Sequence, residues 1–531
     1  MWKVIKSDSS SLEQTYKVGP LVGKLLSSSS LSEEQIQELL NPNLRLTTSN
    51  ALCVVDCCER LLKAKKNHEK VFVGGDYDAD GICSTAIMKD TLDRLGIKNG
   101  YYIPDRFKEG YGLSVKTVEL AHERGYSLLL TVDNGVKAFE AIAKAKELGM
   151  DIIVTDHHRI EEEVKADIVV HPDYMEAQFA TLSGAGVALE IARSLLGEVK
   201  SHIVFAAIAA IADVMPLWKE TRTIVQVGLR YLAQGVVPSL MSLIAKGYEI
   251  NERTVSFEIV PRLNSVGRMN DISNVNTLIP FLLSKNNEQI ASYVMQLNLV
   301  NTRRKELSHA MYQTAIKMIE NEKFILLLDE SFHEGICGLV AGRIVDEYKR
   351  PTLVLSEKDG MLKGSGRSIK GLDLYQFFAE GFEELTSFGG HELAVGLGLK
   401  KEDYETFCKK VLDKIELMEY EEPERVDEAI EIKMKEITFD SINELNILRP
   451  YPKELQKPIF AIHPKEMEEV FSTVKITKYH MKDGTNELDG ILFPFRNVKV
   501  PETIRTVIGE LSINRFRDQV SPQIDIIHVE D

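Results

Sequence analysis

Hydrophobic and polar positions change their spacing several times along the chain. Across residues 31–40 and 51–64 the apolar positions recur at helical intervals, and Asn41-Pro42 separates the two runs. Residues 1–65 are therefore predicted to form a helical segment. From residue 70 the pattern alternates. Short apolar runs at 70–73, 101–103, 127–132, 151–155 and 167–170 read as strands. Amphipathic stretches at 82–95, 113–124 and 137–148 read as helices between them. Short strands separated by helices of a dozen residues imply crossover units and a parallel sheet.

Residues 183–320 are predicted to be mostly helical. The part from 287 to 322 has apolar positions at Ile290, Val294, Leu297, Met311 and Met318, in a stretch without Gly or Pro. As one helix it extends about 50 Å at 1.5 Å per residue, long enough to join two domains. A second alternating segment follows, with strands at 324–328, 352–355 and 393–397 and helices at 339–348 and 373–385. The acidic stretch 416–428 reads equally as a hinge or as a solvated helix end. The last hundred residues carry short β-type runs, among them 474–479 and 490–493, which suit a small barrel or sandwich. The expected fold class is α/β: two α/β domains, the first with a parallel sheet, joined by a long helix, plus a C-terminal β-rich, OB-like domain. The expected boundaries are 1–65, 66–285, 286–322, 323–415 and 429–531.

A length of 531 residues suits three to four such units. The net charge is −16, so any site for a phosphate-rich ligand must be local rather than spread over the surface. No apolar run approaches the roughly 20 residues of a membrane helix, and the N-terminal stretch lacks the apolar core of a signal peptide. The six cysteines form no CxxC pair and no zinc-type cluster. A cytoplasmic protein with reduced thiols and no membrane partner is the expectation.

The candidate chemistry lies at strand ends. The run at 70–73 leads into GGDYDADG with Asp76, Asp78 and Asp80. The run at 127–132 leads into Asp133, and 151–155 leads into Asp156, His157 and His158. The apolar stretch 203–212 ends in Asp213. In an open α/β sheet, ligands bind beyond the carboxyl ends of the strands, so these side chains converge on one rim. Crowded carboxylates raise one another's pKa, and a cation removes the penalty. Oxygen donors with an imidazole suit Mn²⁺ or Mg²⁺, and so many acids suggest two divalent ions sharing a phosphoryl substrate. A single Asp after a strand is more often a cap or turn residue, and Asp78 or Asp80 alone fits that description. Three strand ends and a helix end delivering acid together do not. No GxxxxGK[ST] phosphate loop is present.

The segments GGDYDADGICS, TVDNGV, VTDHH and AAIAAIADVMPL, in this order, resemble the DHH phosphoesterase superfamily. Further segments resemble its RecJ-type, single-strand-specific exonucleases: IPDRFKEGYGLS, FEIVPRLNSVGRMND, GICGLVAGRIVDEYKRP, KGSGRSI and SFGGHELAVG. Together they span residues 70 to 400. Two departures stand out: Asn134, where relatives also have a small or sulfur residue, and ELAVG after Gly-Gly-His.

The resemblance implies a DHH domain, a DHH-associated domain and an OB-like domain. It implies that Asp76, Asp78, Asp80, Asp133, His157 and Asp213 hold the metals, with Asp133 bridging. His158 would face the scissile phosphate and Asp156 would orient the histidines. Gly389, Gly390 and His391 would close over the substrate, with His391 on a phosphate or assisting proton transfer. Arg106, Arg268, Arg343 and Arg367, with Ser365 and Ser368, would line the path of a nucleic acid. Guanidinium forks suit phosphates, and the amides of Gly364 and Gly366 would complete an anion nest. The implied activity is two-metal hydrolysis of single-stranded DNA from the 5′ end in repair or recombination. The acidic stretch and the β-rich tail are where a single-strand-binding protein or helicase could dock. Two alternatives stay open. One is a DHH phosphoesterase acting on short RNA, cyclic dinucleotides or pyrophosphate. The other is a replication scaffold that has lost catalysis.

Overall fold

The computed structural model describes the chain apart from residues 1, 43, 106, 108, 111, 419–426, 456, 497 and 517–518. The described residues form two compact units. One comprises 47–215 and 224–424, and the other 1–46, 216–223 and 425–531. The first strand of the chain, β1 (Trp2–Ile5), belongs to the second of these units.

The larger unit starts with a five-stranded parallel sheet, made of β2 (Val71–Gly74), β3 (Asn99–Tyr102), β4 (Leu128–Thr131), β5 (Asp151–Thr155) and β6 (Ile168–Val170). The strand order is β3-β2-β4-β5-β6, with Gly74 beside Thr131 and Leu130 beside Ile153. Strands β2 and β4 are buried along their whole length, which explains their unbroken apolar sequence. Chain order reverses direction at β2, with β3 on one side and β4 on the other. That reversal opens a crevice at the carboxyl ends of β2 and β4, where such sheets bind ligands. Against the sheet lies the helix Ala79–Leu95, buried on most sides, with the helices Gly184–Leu196 and Lys200–Ala212 packed on it. The almost continuously apolar sequence of Lys200–Ala212 follows from burial all round.

The helix Asn287–Ala315 leads to a second sheet in the same unit. It is shorter than the expected 287–322, about 44 Å for its 29 residues. It stops because turn hydrogen bonds from Lys317 and Met318 to Thr314 and Ala315 bend the chain, and Phe324 then buries beside the next sheet. That sheet comprises β7 (Ile325–Leu328), β8 (Thr352–Lys358), β9 (Met361–Arg367), β10 (Leu385–His391) and β11 (Ala394–Lys400), in the order β10-β11-β9-β8-β7. Only β7 and β8 run parallel. Two strands differ from expectation. Residues 361–367 and 385–391 are strands that the sequence pattern did not assign, and the predicted helix 373–385 shrinks to Leu374–Ala379. In β9 the glycines serve packing: a methyl on Gly364 would lie 2.7 Å from Leu355.

The smaller unit holds an eight-stranded sheet. Its strands are β1, β12 (Asp427–Glu431), β13 (Phe460–Ile462), β14 (Glu466–Ser472), β15 (Thr477–Asp483), β16 (Asn486–Leu492), β17 (Thr506–Phe516) and β18 (Gln519–Glu530). Strand β1 pairs in parallel with β12, so the N-terminus is not helical throughout. Trp2 and Val4, at alternate positions, pack against Ala429, Ala461 and Ile508, as a strand requires. The helices Pro20–Ser27 and Glu33–Leu40 bury Leu21, Val22, Leu25 and Leu39 in the same core as Trp218, Phe460 and Ile524. Most of the expected acidic hinge, residues 419–426, lies outside the described residues. Among the described residues no helix is long and apolar enough to cross a membrane.

Candidate metal centre and nucleic-acid path

Each acidic side chain is placed by a local backbone feature. After β2, Asp78 caps the helix Ala79–Leu95, its carboxylate accepting from the amides of Asp80 (2.9 Å) and Gly81 (3.1 Å). The capping role of an isolated Asp is thus real, yet the same side chain also joins Asp76 and Asp133 in one group. Asp80, in the first turn, is buried. Its oxygens accept from Ser183 Oγ at 3.1 Å and from the amides of Gly184 (2.8 Å) and Ala185 (2.7 Å), at the start of the helix Gly184–Leu196. The sequence reading did not single out Ser183 and Gly184. Their signal was a serine followed by Gly-Ala-Gly ahead of an apolar helix, a cap beside a close backbone approach.

Asp133 follows β4 with φ +62°, a left-handed conformation that turns its carboxylate toward the end of β2. Asn134 holds this turn. Its side-chain amide donates to the carbonyls of Gly74 (3.1 Å) and Val132 (2.9 Å), and its oxygen accepts from the Leu113 amide (3.1 Å). A small residue at 134 would remove all three bonds, although the Gly74 carbonyl also accepts from the Val132 amide at 2.9 Å. After β5, Asp156 accepts from the amides of His157 (2.8 Å), His158 (3.1 Å) and Val136 (3.0 Å), and from His158 Nδ1 (2.7 Å). The 210s contribute Asp213, which follows the helix Lys200–Ala212.

The donors converge. His157 Nε2 lies 3.2 Å from Asp133 Oδ1 and 3.6 Å from both Asp80 Oδ2 and Asp213 Oδ2. Three overlapping sets each place their donor atoms within 4.8 Å of one another: Asp80, His157 and Asp213; Asp76, Asp78 and Asp133; Asp133, His157 and His158. Asp133 and His157 connect the first two sets. The helix Val260–Arg268 braces the rim: Asn264 Oδ1 accepts from the Ala79 amide at 2.8 Å, and a methyl on Gly267 would lie 2.6 Å from the Tyr77 carbonyl.

The electrostatics are those of a site missing positive charge. Burial raises Asp80 to about 7, helped by the charges of Asp213 and Asp78. Asp133 is pushed far above the usual carboxylate range by burial and by Asp80, Asp78 and Asp76. Asp213 rises to about 6 through burial and Asp78. Burial holds His157 down at about 4, so it is a neutral imidazole at pH 7, the form that binds metals. His158 behaves oppositely. Its burial is outweighed by the hydrogen bond and charge of Asp156, which lift it to about 9, while Asp156 itself stays ionised below its ordinary value. Hard oxygen donors with the one neutral imidazole of His157 fit Mg²⁺- or Mn²⁺-type ions, not a thiol-seeking metal.

The remaining candidates divide. Arg268 ends the helix Val260–Arg268, and its carbonyl lies against Gly335, just before the helix Cys337–Tyr348. Arg367 and Ser365, two apart on β9, face the same helix start, where a methyl on Gly338 would lie 2.8 Å from Arg367 Nη2 and 3.4 Å from Ser365 Cβ. The structure thus brings the side chains of Ser365 and Arg367, and the backbone of Arg268, to one helix N-terminus. It does not add Arg343, whose guanidinium stacks 3.5 Å from the Tyr312 ring centre at the packing of two helices. Nor does it add Ser368, which is buried and donates to the Leu372 carbonyl at 2.7 Å. The expected anion nest is absent because Gly364 and Gly366 sit inside β9, paired on both sides by β8 and β11. Gly389, Gly390 and His391 end the edge strand β10. Burial lowers the pKa of His391, and the charges of Lys137 and His158 lower it further, which places this end of β10 within electrostatic range of the metal-type cluster. Arg106 lies outside the described residues.

Three family models match the chain in order: the DHH family N-terminal domain over residues 70–215, the DHHA1 domain over 320–417 and the RecJ OB domain over 429–528. Fold and acidic rim together define a protein of the DHH class. Within that class the chain belongs to the RecJ family. It is 34% identical over 494 residues to the single-stranded-DNA-specific exonuclease RecJ of Bacillus subtilis, covering 89% of this chain and 62% of that protein. With the Haemophilus influenzae protein of the same name it shares 28% over 548 residues, 94% of this chain and 93% of the relative. Among solved structures, exonuclease RecJ bound to manganese is 28% identical with a TM-score of 0.64, covering 71% of this chain and 97% of that one. The fold of Thermus thermophilus RecJ in complex with Mn²⁺ superposes with a TM-score of 0.81 at 24% identity, over all of this chain and 79% of the other.

Proposed function

We propose that the chain is a metal-dependent exonuclease that hydrolyses phosphodiester bonds in single-stranded DNA, with 5′ to 3′ polarity by kinship to the RecJ relatives. The carrying observation is that Asp133 and His157 join two carboxylate groups into one cluster at the sheet's switch point. Asp80, His157 and Asp213 would hold one divalent ion, Mn²⁺ or Mg²⁺, and Asp76 and Asp78 a second, with Asp133 shared. When bound, two such ions activate water and neutralise charge on the phosphoryl group.

The chain's own residues supply the rest. Asp156 fixes His158 through Nδ1, and the Nε2–H of the cationic ring would donate to a phosphoryl oxygen. Arg268, Arg367 and Ser365 offer phosphate contacts to the strand, and His391 with Gly389 and Gly390 approaches from β10. Single-strand-binding protein or helicase partners belong to the same proposal.

End-labelled single- and double-stranded DNA, incubated with and without Mn²⁺, tests the reading. Mononucleotides or very short fragments released from single strands only, and lost in Asp133→Ala, are expected. Hydrolysis confined to dinucleotides or pyrophosphate would replace it with a small-substrate phosphoesterase. No hydrolysis at all would favour a scaffold.

A further inference from the structure

His171 follows β6 and is almost fully buried, yet it contributes no donor atom to the carboxylate cluster. Both of its ring nitrogens are engaged. Nδ1 lies 3.1 Å from the Asp173 amide, and Nε2 lies 2.9 Å from the carbonyl oxygen of His158. An amide N–H can only donate, so Nδ1 accepts, and the neutral ring carries its proton on Nε2. That proton is donated to the His158 carbonyl. The Asp173 carboxylate lies 3.5 Å from Nδ1 and the Tyr174 ring 6.0 Å away, and Cys53 and His157 are also neighbours.

Three bonds therefore fix residue 158. Asp156 takes its backbone amide and its Nδ1, and His171 takes its carbonyl. The first two pivot on a single carboxylate, on the amide and ring side of the residue. The third, reaching in from the end of the neighbouring strand, holds its carbonyl side. We propose that His171 is a positioning residue for His158, holding its peptide plane so that the ring keeps a fixed place toward the substrate phosphate. This inference rests on the nuclease reading above. Partners of this kind behind a working histidine typically change activity 10–100-fold, and a displacement of about 1 Å is enough.

The test uses the full chain with His171→Gln, whose amide nitrogen falls near Nε2, His171→Asn, whose amide falls near Nδ1, and His171→Leu. With Mn²⁺ and single-stranded DNA, the Leu and Asn variants are expected to lose about 10- to 100-fold in kcat with little change in KM. The Gln variant is expected to recover most of the loss. Calorimetric Mn²⁺ affinity should stay within about threefold in all three, since His171 touches no cluster donor. In metal-free protein, the imidazole ¹⁵N–¹H resonance of His158 Nδ1 should move or broaden in the Leu and Asn variants and hold in Gln. If Asn matches Gln in kcat, or if Mn²⁺ affinity falls in parallel with kcat, the positioning role is overturned. Should the Leu variant fail to fold, the Gln–Asn pair decides alone. Should the unmodified protein cleave no single strand, the nuclease reading falls, and an unmoved His158 resonance in Asn would overturn the His171 role separately.

Discussion

Gly184→Ala places one methyl group against the centre of the site. At that position a Cβ would lie 2.5 Å from Asp133 Cβ and 2.7 Å from its Cγ, where ordinary carbon contacts are about 3.5–4 Å. Relief requires a shift of about 1 Å. Neither side yields easily. Asp133 is held by its amide bond to the Thr155 carbonyl (3.0 Å) in a left-handed turn, and Gly184 is tied through its amide to Asp80. Either Asp133 leaves the Asp76–Asp78 group or Asp80 leaves the His157–Asp213 group. A displacement of that size costs about 10²-fold in kcat, or roughly 2.7 kcal/mol of transition-state stabilisation. Overpacking adds about 1–3 kcal/mol of lost stability. Single-strand hydrolysis and Mn²⁺ calorimetry on the variant, beside Gly342→Ala as control, measure both effects. A methyl on Gly342 meets nothing within 4 Å, so that variant should keep full activity. Unchanged kcat and Mn²⁺ affinity in Gly184→Ala would refute the reasoning.

Other expectations follow from the same geometry. His158→Ala should lower kcat by about 10²–10³-fold, the usual cost of a lost charge-stabilising donor, while Mn²⁺ binding persists; equal loss of both would make His158 a ligand instead. Metal-free protein should become less stable as pH rises from 6.5 to 9. Folded Asp80 keeps its proton up to about 7 and folded His158 up to about 9, whereas the unfolded groups release theirs near 3.8 and 6.5. His157, depressed to about 4, is neutral when folded but half protonated when unfolded at pH 6.5, so it opposes the trend at the low end of the window and drops out above about pH 7.5. Thermal melts should therefore show a larger stabilising effect of Mn²⁺ at pH 8 than at pH 6, and the reverse order would contradict the raised carboxylates. Arg268→Ala and Arg367→Ala should each weaken single-strand binding and reduce its salt slope by about 0.7, with Mn²⁺ affinity intact. Ser368→Ala, whose hydroxyl serves the Leu372 carbonyl, should leave the slope unchanged.

Much of this architecture was legible from hydrophobic spacing, because the first sheet is buried on both faces and writes its strands as unbroken apolar runs. The acids at 76, 78, 80, 133, 156 and 213 were visible for the complementary reason: polar residues at the ends of such runs mark where the sheet meets its ligand. Glycine hid the rest. Strands β9 and β10 were not assigned, since Gly364, Gly366, Gly389 and Gly390 carry no side chain to reveal a period of two, though packing and pairing hold them extended. Strand β1 was missed because its partner β12 lies more than four hundred residues away, a pairing no local pattern encodes. Ser183 escaped notice because its hydroxyl reads as an ordinary helix cap, and Gly184 because its work is done by a backbone amide, which every residue type except proline carries.

Anomalous diffraction at the manganese edge, from crystals grown with Mn²⁺, tests the central claim most directly. The account predicts two peaks about 3.5–4 Å apart, one among Asp80, His157 and Asp213 and one beside Asp76 and Asp78, with the Asp133 carboxylate touching both. A rim without manganese, or a single peak that Asp133 does not contact, would contradict it.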